Sequence, residues 1–113
     1  MRSFSFRVRK RYIDDLRNKK KNVEYRRDIQ FWRTRVANAF DDVSLKYRVL
    51  WLAGEFLPQK VNAIGVFISG KTIVRRRITT ISRIRTPGDF SDQGKKDVDT
   101  EFCFAFYLGD EIK

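Results

Sequence analysis

The chain contains no histidine and a single cysteine, Cys103. Without imidazole there is no Ser-His-Asp triad, no His-ligated zinc and no histidine general base. One thiol excludes an intrachain disulfide and a multi-cysteine zinc site. Long apolar runs are missing too. The longest, Val49 to Ala53 and Ile64 to Ile68, fall far short of the ~18–20 residues that cross a bilayer. The first seven residues carry charge but no apolar stretch, so a signal peptide is not expected and a reducing, cytoplasmic setting is the default. Acidic side chains are scarce: 14 Asp and Glu face 25 Lys and Arg, for a formal net charge of +11. Any chemistry therefore rests on Lys, Arg, Asp, Glu, Tyr, Ser or Thr.

What is present suffices for a core. At 113 residues, with 42% apolar and 16 aromatic side chains, the chain reads as one domain, residues 1–113. Its charge is uneven. Residues 1–35 hold 13 basic and 4 acidic side chains, and residues 71–85 hold 6 basic and none acidic. Residues 36–70 balance, and residues 86–113 carry 3 basic against 7 acidic. Solubility needs a net charge of only about 2–8 in a small domain. Two concentrated basic segments point instead to a polyanionic partner, nucleic acid before a membrane surface, because no segment joins a basic face to a broad apolar one.

Phe4, Phe6 and Val8 alternate with polar residues, which predicts a strand. Tyr12, Ile13 and Leu16 predict a short helix over 10–18, with Asp14 and Asp15 near its positive end and Asn18 as its left-handed stop. Residues 23–27 read as a second strand, with Val23 and Tyr25 on one face and Glu24 and Arg26 on the other; if Val23 and Tyr25 enter the core, the carboxylate and guanidinium line the opposite side. Asp28 is the candidate N-cap of a helix carrying Ile29, Trp32, Val36 and Phe40. Residues 45–56 fit a helix or a strand, closed by Pro58 in either case. Residues 63–69 and 72–86 read as strands joined at Gly70-Lys71, with a bulge near Thr79-Thr80 keeping Ile78 and Ile81 inward. Residues 88–99 read as a polar loop, and Phe102, Phe104, Phe106 and Leu108 as a last strand. The order is α+β: five to six short strands in a small mixed barrel with two or more flanking helices, closed so that its edges are removed.

The segment between the first helix and second strand, Lys19-Lys20-Lys21-Asn22-Val23-Glu24-Tyr25-Arg26, resembles the G-x-K-x-x-E-x-R hallmark of the ASCH family of PUA-like β-barrels. Lys21, Glu24 and Arg26 match, and Lys19 stands where the family usually has glycine, with Asn18 beside it to take up the unusual backbone angle. Ala63 to Ile68, Ile73 to Ile78 and the aromatic last strand are similar to that family's barrel strands. The resemblance implies a cleft at the helix–strand turn and a role in RNA binding or RNA-linked metabolism. Some members look like small hydrolases of an acetylated cytidine that use the motif lysine, a threonine at the position of Glu24 and a later glutamate. Here Glu24 replaces the threonine and neither Glu55 nor Glu101 matches the later position, which argues against that activity.

The candidate contact residues are Lys19, Lys20, Lys21, Glu24 and Arg26 at the cleft and Arg75 and Arg77 on one face of a strand, continued by Arg83 and Arg85. Lys21 and Glu24 are also the candidates for catalysis, since a lysine crowded by cations is one route to a basic or nucleophilic amine. The three function classes are RNA binding at the cleft, a small hydrolase of RNA or a modified nucleoside, and an adaptor for an acidic protein. Tyr25, Trp32 and Trp51 are candidates for base stacking, with core packing the competing role. Cys103 reads as a small buried residue. Asp41-Asp42 and the Asp89, Asp92, Asp97 and Asp99 group match no metal loop, so neither a metal nor a cofactor is expected.

Overall fold

A computed structural model describes residues 2–51, 54–87 and 101–113, with Trp51 described by its backbone alone. Its elements run β1 (Arg2–Arg7), α1 (Lys10–Arg17), β2 (Val23–Arg27), α2 (Gln30–Ala39), α3 (Val43–Trp51), β3 (Phe56–Ser69), β4 (Thr72–Arg85) and β5 (Phe102–Glu111). The five strands form one mixed sheet in the order β1-β3-β4-β5-β2. β1 lies parallel to β3, and every other neighbouring pair is antiparallel. The sheet curls into a half-barrel whose edges are β1 and β2, so among the described residues the expected closure does not occur by strand pairing. The expected polar loop at 88–99 and the side chain of Trp51 lie outside the described residues.

Aromatic alternation builds the core. Phe4 and Phe6 turn inward from β1 while Ser3, Ser5 and Arg7 turn out. Phe6 sits at the centre, with ring centroids 5.0 Å from Phe67, 5.0 Å from Phe106 and 5.3 Å from Trp32 of α2. Removing such a ring from water contributes about 1.5–3 kcal/mol, against about 0–1 for an exposed ion pair. The aromatic cluster therefore outweighs the surface charges in holding the sheet to α2. Gly65 makes room for it, since a Cβ there would lie 2.9 Å from the Phe67 ring. Ile13 and Leu16 of α1 and Val36 of α2 cover the same face.

Several local expectations are corrected. Val23 and Tyr25 do not face the main core. Glu24 and Arg26 pair across to Phe106 and Phe104 and share the concave face with them, whereas Tyr25 packs on the other face with Cys103 and Ile84. Asp14 and Asp15 lie beyond the first turn of α1. Asp28 does not cap α2; Ile29 holds that position without a side-chain bond. The segment at 45–56 divides into a helix and the start of β3. Asp42 accepts the Ser44 N–H at 2.8 Å and so caps α3, and Val49 is its buried anchor. Pro58 lies inside β3, at the first of two register slips, where a missing N–H is tolerated. Gly70 (φ 59°) and Lys71 form the two-residue hairpin between β3 and β4.

A slip also occurs in β4 between Arg76 and Thr80. Inward residues before it are Val74, Arg76 and Ile78; after it they are Ile81 and Arg83. The irregularity does turn both isoleucines inward, and it takes Arg83 in with them. There Arg83 bonds Asp28 and the Gly54 carbonyl, while Arg33 grips Asp28 through two nitrogens at 2.6 and 2.8 Å.

Arg76, only 1% exposed, is the second buried cation. It donates to the carbonyls of Gly109 (2.8 Å), Leu16 (3.1 Å), Leu108 (3.4 Å) and Lys21, and to Asn22 Oδ1 (2.8 Å). Burial lowers its pKa, and Asp110 and Glu111 oppose that. The guanidinium thus ties the end of α1 and the following turn to β4 and β5.

Arg76→Met takes the donor from five acceptors, three of them on the buried residues Leu16, Lys21 and Leu108, and is expected to cost at least about 3 kcal/mol in urea unfolding. Arg76→Lys, with three donors instead of five, recovers only part of it. Burial acts to raise the Asp28 pKa, but the hydrogen bonds from Arg33 and Arg83 overcome it and hold the carboxyl below its ordinary 3.8. A depressed carboxyl stabilises the fold above the unfolded value, and that stability is lost as pH falls through the folded value. The melting-temperature gap between the protein and Asp28→Asn should be level above about pH 5 and shrink below about pH 4.

Candidate functional site

The C-terminus of α1 determines where the site lies. The Lys20 N–H bonds back to the Asp15 carbonyl at 2.8 Å, and Lys19 between them takes φ 60°, the left-handed stop of a Schellman-type cap. Asn18 has φ −90°, so Lys19 itself adopts the backbone angle expected of its neighbour. The Lys21 N–H also reaches the Asp15 carbonyl, at 3.0 Å, and the Asn22 carbonyl accepts the Leu108 N–H at 2.9 Å. With Arg76 bonded to the Lys21 carbonyl and the Asn22 side chain, the turn is held at both ends.

Lys21, Glu24 and Arg26 come together. Lys21 Nζ lies 3.1 Å from Glu24 Oε1. Arg26 Nε and Nη2 lie 2.9 and 2.8 Å from Oε2. Glu24 is 1% exposed and Lys21 9%, so this is a buried carboxylate held between two cations. Such a group is tolerated only because both its oxygens are engaged. Arg26 also donates to the Arg7 carbonyl at 3.0 Å, so it spans from edge strand β2 to edge strand β1. Its guanidinium stands 5.2 Å from the Phe6 ring and 5.6 Å from Trp32, closing the aromatic core at the seam.

Beside this triad lies a pocket of about 210 Å³ lined by Arg7, Val8, Arg9, Tyr12, Lys21, Glu24 and Arg26. Tyr12 forms one wall, with Lys21 Nζ 4.8 Å from its ring and Arg11 donating to its hydroxyl at 2.8 Å. The lining carries four cations and one carboxylate, an anion-attracting balance in which planar Arg forks suit phosphate or carboxylate. Arg7, Arg9 and Tyr12 were not among the sequence candidates. The signal available for the arginines was their place directly before α1, and helical spacing marked Tyr12 only as core.

The other candidates lie apart from the triad. Lys19 pairs with Asp110 at 2.6 Å on the exposed rim, and the hydrogen bond from Lys19 holds the Asp110 carboxyl below its usual range. Lys20 is exposed and does not line the pocket. Lys21 is crowded by cations in sequence, but in space its near charge partner is Glu24. Arg75 and Arg77 project from the outer face of the sheet, opposite Arg76 and the concave side that holds Glu24. The stripe does not continue: Arg83 is buried, and Arg85 pairs with Glu101 at 2.8 Å.

Trp32 is buried in the core and Tyr25 packs against Cys103, so neither presents a free ring. Burial pushes the Cys103 thiol up to about 11. No group of three or more metal-ligating side chains occurs among the described residues, and no helix there is long and apolar enough to cross a membrane. No family model, curated protein or solved structure matches the chain.

A non-glycine residue in the left-handed region is strained by roughly 1–2 kcal/mol. Lys19→Gly should therefore raise the melting temperature by about 4 °C per kcal/mol recovered, with the Lys21–Glu24–Arg26 geometry kept. A fall in melting temperature would show that the Lys19–Asp110 pair outweighs the strain.

Proposed function

We propose that this chain is an ASCH-type, PUA-like domain that binds RNA, or a nucleotide within it, at the pocket between α1, β1 and β2. The observation that carries this reading is the pocket itself: four cations converge on one concave site around a buried, fully engaged carboxylate. The K-x-x-E-x-R turn that resembles the ASCH hallmark forms its floor. At about 210 Å³ the space is smaller than the roughly 300–1,000 Å³ of clefts for drug-sized ligands, so it suits one phosphate or base with the rest of the strand outside. Arg7 and Arg9, both exposed, would meet backbone phosphates, and Lys20 adds positive potential nearby, whereas the charge of Lys19 is offset by Asp110. Arg75 and Arg77 belong to the opposite face and would contact only RNA that wraps the sheet.

Binding is better supported than catalysis. Both oxygens of Glu24 are held by cations, which leaves it poorly placed as a general base, and Lys21 is its ion-pair partner. A hydrolase acting through these residues would require turnover of RNA or a modified nucleoside that Lys21→Ala abolishes.

Filter binding of single-stranded and structured RNA between 50 and 300 mM salt tests the proposal. Affinity should fall with salt, with a logarithmic slope of about −0.7 per phosphate contacted on a single strand. Arg9→Ala should weaken binding and make that slope shallower by roughly one contact. Absence of salt-dependent association with either RNA would refute it.

A further inference from the structure

The edge of β1 that faces away from β3 extends beyond the basic pocket. In a parallel pair, alternate residues direct both N–H and C=O to the neighbouring strand. Val8 donates to the Ile68 carbonyl at 3.0 Å, so the even residues of β1 face β3 and Ser3, Ser5 and Arg7 face outward. Arg26 takes the Arg7 carbonyl, which ends the open stretch at that residue. β1 is an edge strand paired with β3 alone, so the N–H and C=O groups that Ser3 and Ser5 direct away from β3 have no strand partner among the described residues, and both residues are exposed.

A groove of about 520 Å³ runs along this edge, with β1 as one wall and Phe31, Thr34, Arg35 and Asn38 of α2 as the other. Phe31 is 50% exposed and is held in place by Arg35, whose guanidinium stands 3.4 Å from its ring and donates to its carbonyl at 3.0 Å. The lining holds two cations, Arg2 and Arg35, and no carboxylate. An unpaired strand edge facing a helix, with an exposed aromatic ring between them, is the geometry in which an extended peptide adds as a further strand.

We infer that the β1–α2 groove binds an extended acidic peptide segment of a partner protein by strand addition at Ser3 and Ser5. The outward N–H and C=O groups match a peptide backbone, whereas a nucleic-acid strand has no matching ladder of donors and acceptors. A second copy pairing through β1 (Arg2–Arg7) would bring two further arginines and no carboxylate to a groove already lined by Arg2 and Arg35. An acidic segment meets both demands: its backbone pairs with Ser3 and Ser5, its carboxylates meet Arg2 and Arg35, and an apolar side chain rests on Phe31.

Fluorescence anisotropy with the full chain and a labelled eight-residue peptide of alternating valine and glutamate tests this directly. Comparators of the same length are the peptide N-methylated on alternate backbone nitrogens in either frame, a valine–lysine peptide and oligouridylate. Ser5→Pro removes one outward N–H while keeping charge, a change that edge strands tolerate. Saturable binding of the acidic peptide is expected, weakened about tenfold or more by N-methylation in one frame and by Ser5→Pro, and weakened also by Arg35→Glu. The N-methylated peptides need no change in the protein, so the result stands even where Ser5→Pro destabilises the fold. Equal binding of both methylated peptides would reduce the effect to charge attraction and overturn the proposal. So would absence of binding, tighter binding of oligouridylate that Ser5→Pro and Arg35→Glu both reduce, or a dimer that Ser5→Pro dissolves.

Discussion

The buried guanidinium of Arg76 is the constraint on which the rest of the arrangement depends. It carries a full charge into a site that is 1% exposed, and it is tolerated there because it is bonded to four carbonyls and an amide oxygen. A cation at the C-terminal end of α1 is also favoured by the carbonyls that converge there. These acceptors come from α1, the following turn and β5, while the arginine comes from β4, so one side chain sets the relative position of four segments. The turn it holds is the one that delivers Lys21, Glu24 and Arg26. Tight packing of the strands around a large polar group thus becomes the means by which a short polar motif is held in one geometry at the pocket wall.

The seam of the half-barrel shows how the fold manages an incomplete closure. β1 and β2 do not pair, and at the Arg7 end the gap is bridged by a side chain: Arg26 joins Glu24 on one strand to the Arg7 carbonyl on the other. Backbone pairing would have filled the gap and left no pocket. A polar bridge holds the edges near each other while leaving about 210 Å³ open beside them. Toward the start of β1 the strand edge and α2 line a groove instead, and there the edge keeps its hydrogen-bonding groups. One structural economy, an open sheet, therefore accounts for both the basic pocket and the groove.

Much of the local structure was legible because its signals are short-range. Phe4 and Phe6 alternate, Tyr12, Ile13 and Leu16 fall one helical turn apart, and the isoleucines of β4 demand a slip near Thr80 if both are to face inward. The motif residues Lys21, Glu24 and Arg26 were legible as a cluster because β parity places residues 24 and 26 on one face and a tight turn brings 21 beside them. What misled was the polarity of that face. Parity leaves open which face of β2 is buried, and Val23 and Tyr25 favour theirs, yet the concave side takes Glu24 because Lys21 and Arg26 come with it. Asp28 misled in the same way. An aspartate before a helical stripe reads as a cap, but two arginines, one of them 55 residues away, outcompete the helix N–H groups for it.

By itself the sequence determined the class of fold, an α+β chain of short one-faced strands, and the charge that any partner must meet. These follow from composition and from periodicities of two and 3.6, which need no knowledge of distant contacts. Only the tertiary structure decided which of six arginines and lysines in residues 71–85 remain at the surface, since the irregularity of β4 between Arg76 and Thr80 turns Arg83 inward and leaves Arg75 and Arg77 outside. It also decided that Arg76 becomes the anchor, that Lys19 takes the strained angle and that Arg7, Arg9 and Tyr12 join the motif in one pocket. Each of those outcomes depends on contacts between segments far apart in the chain, where long-range packing, and no local rule, selects the partner.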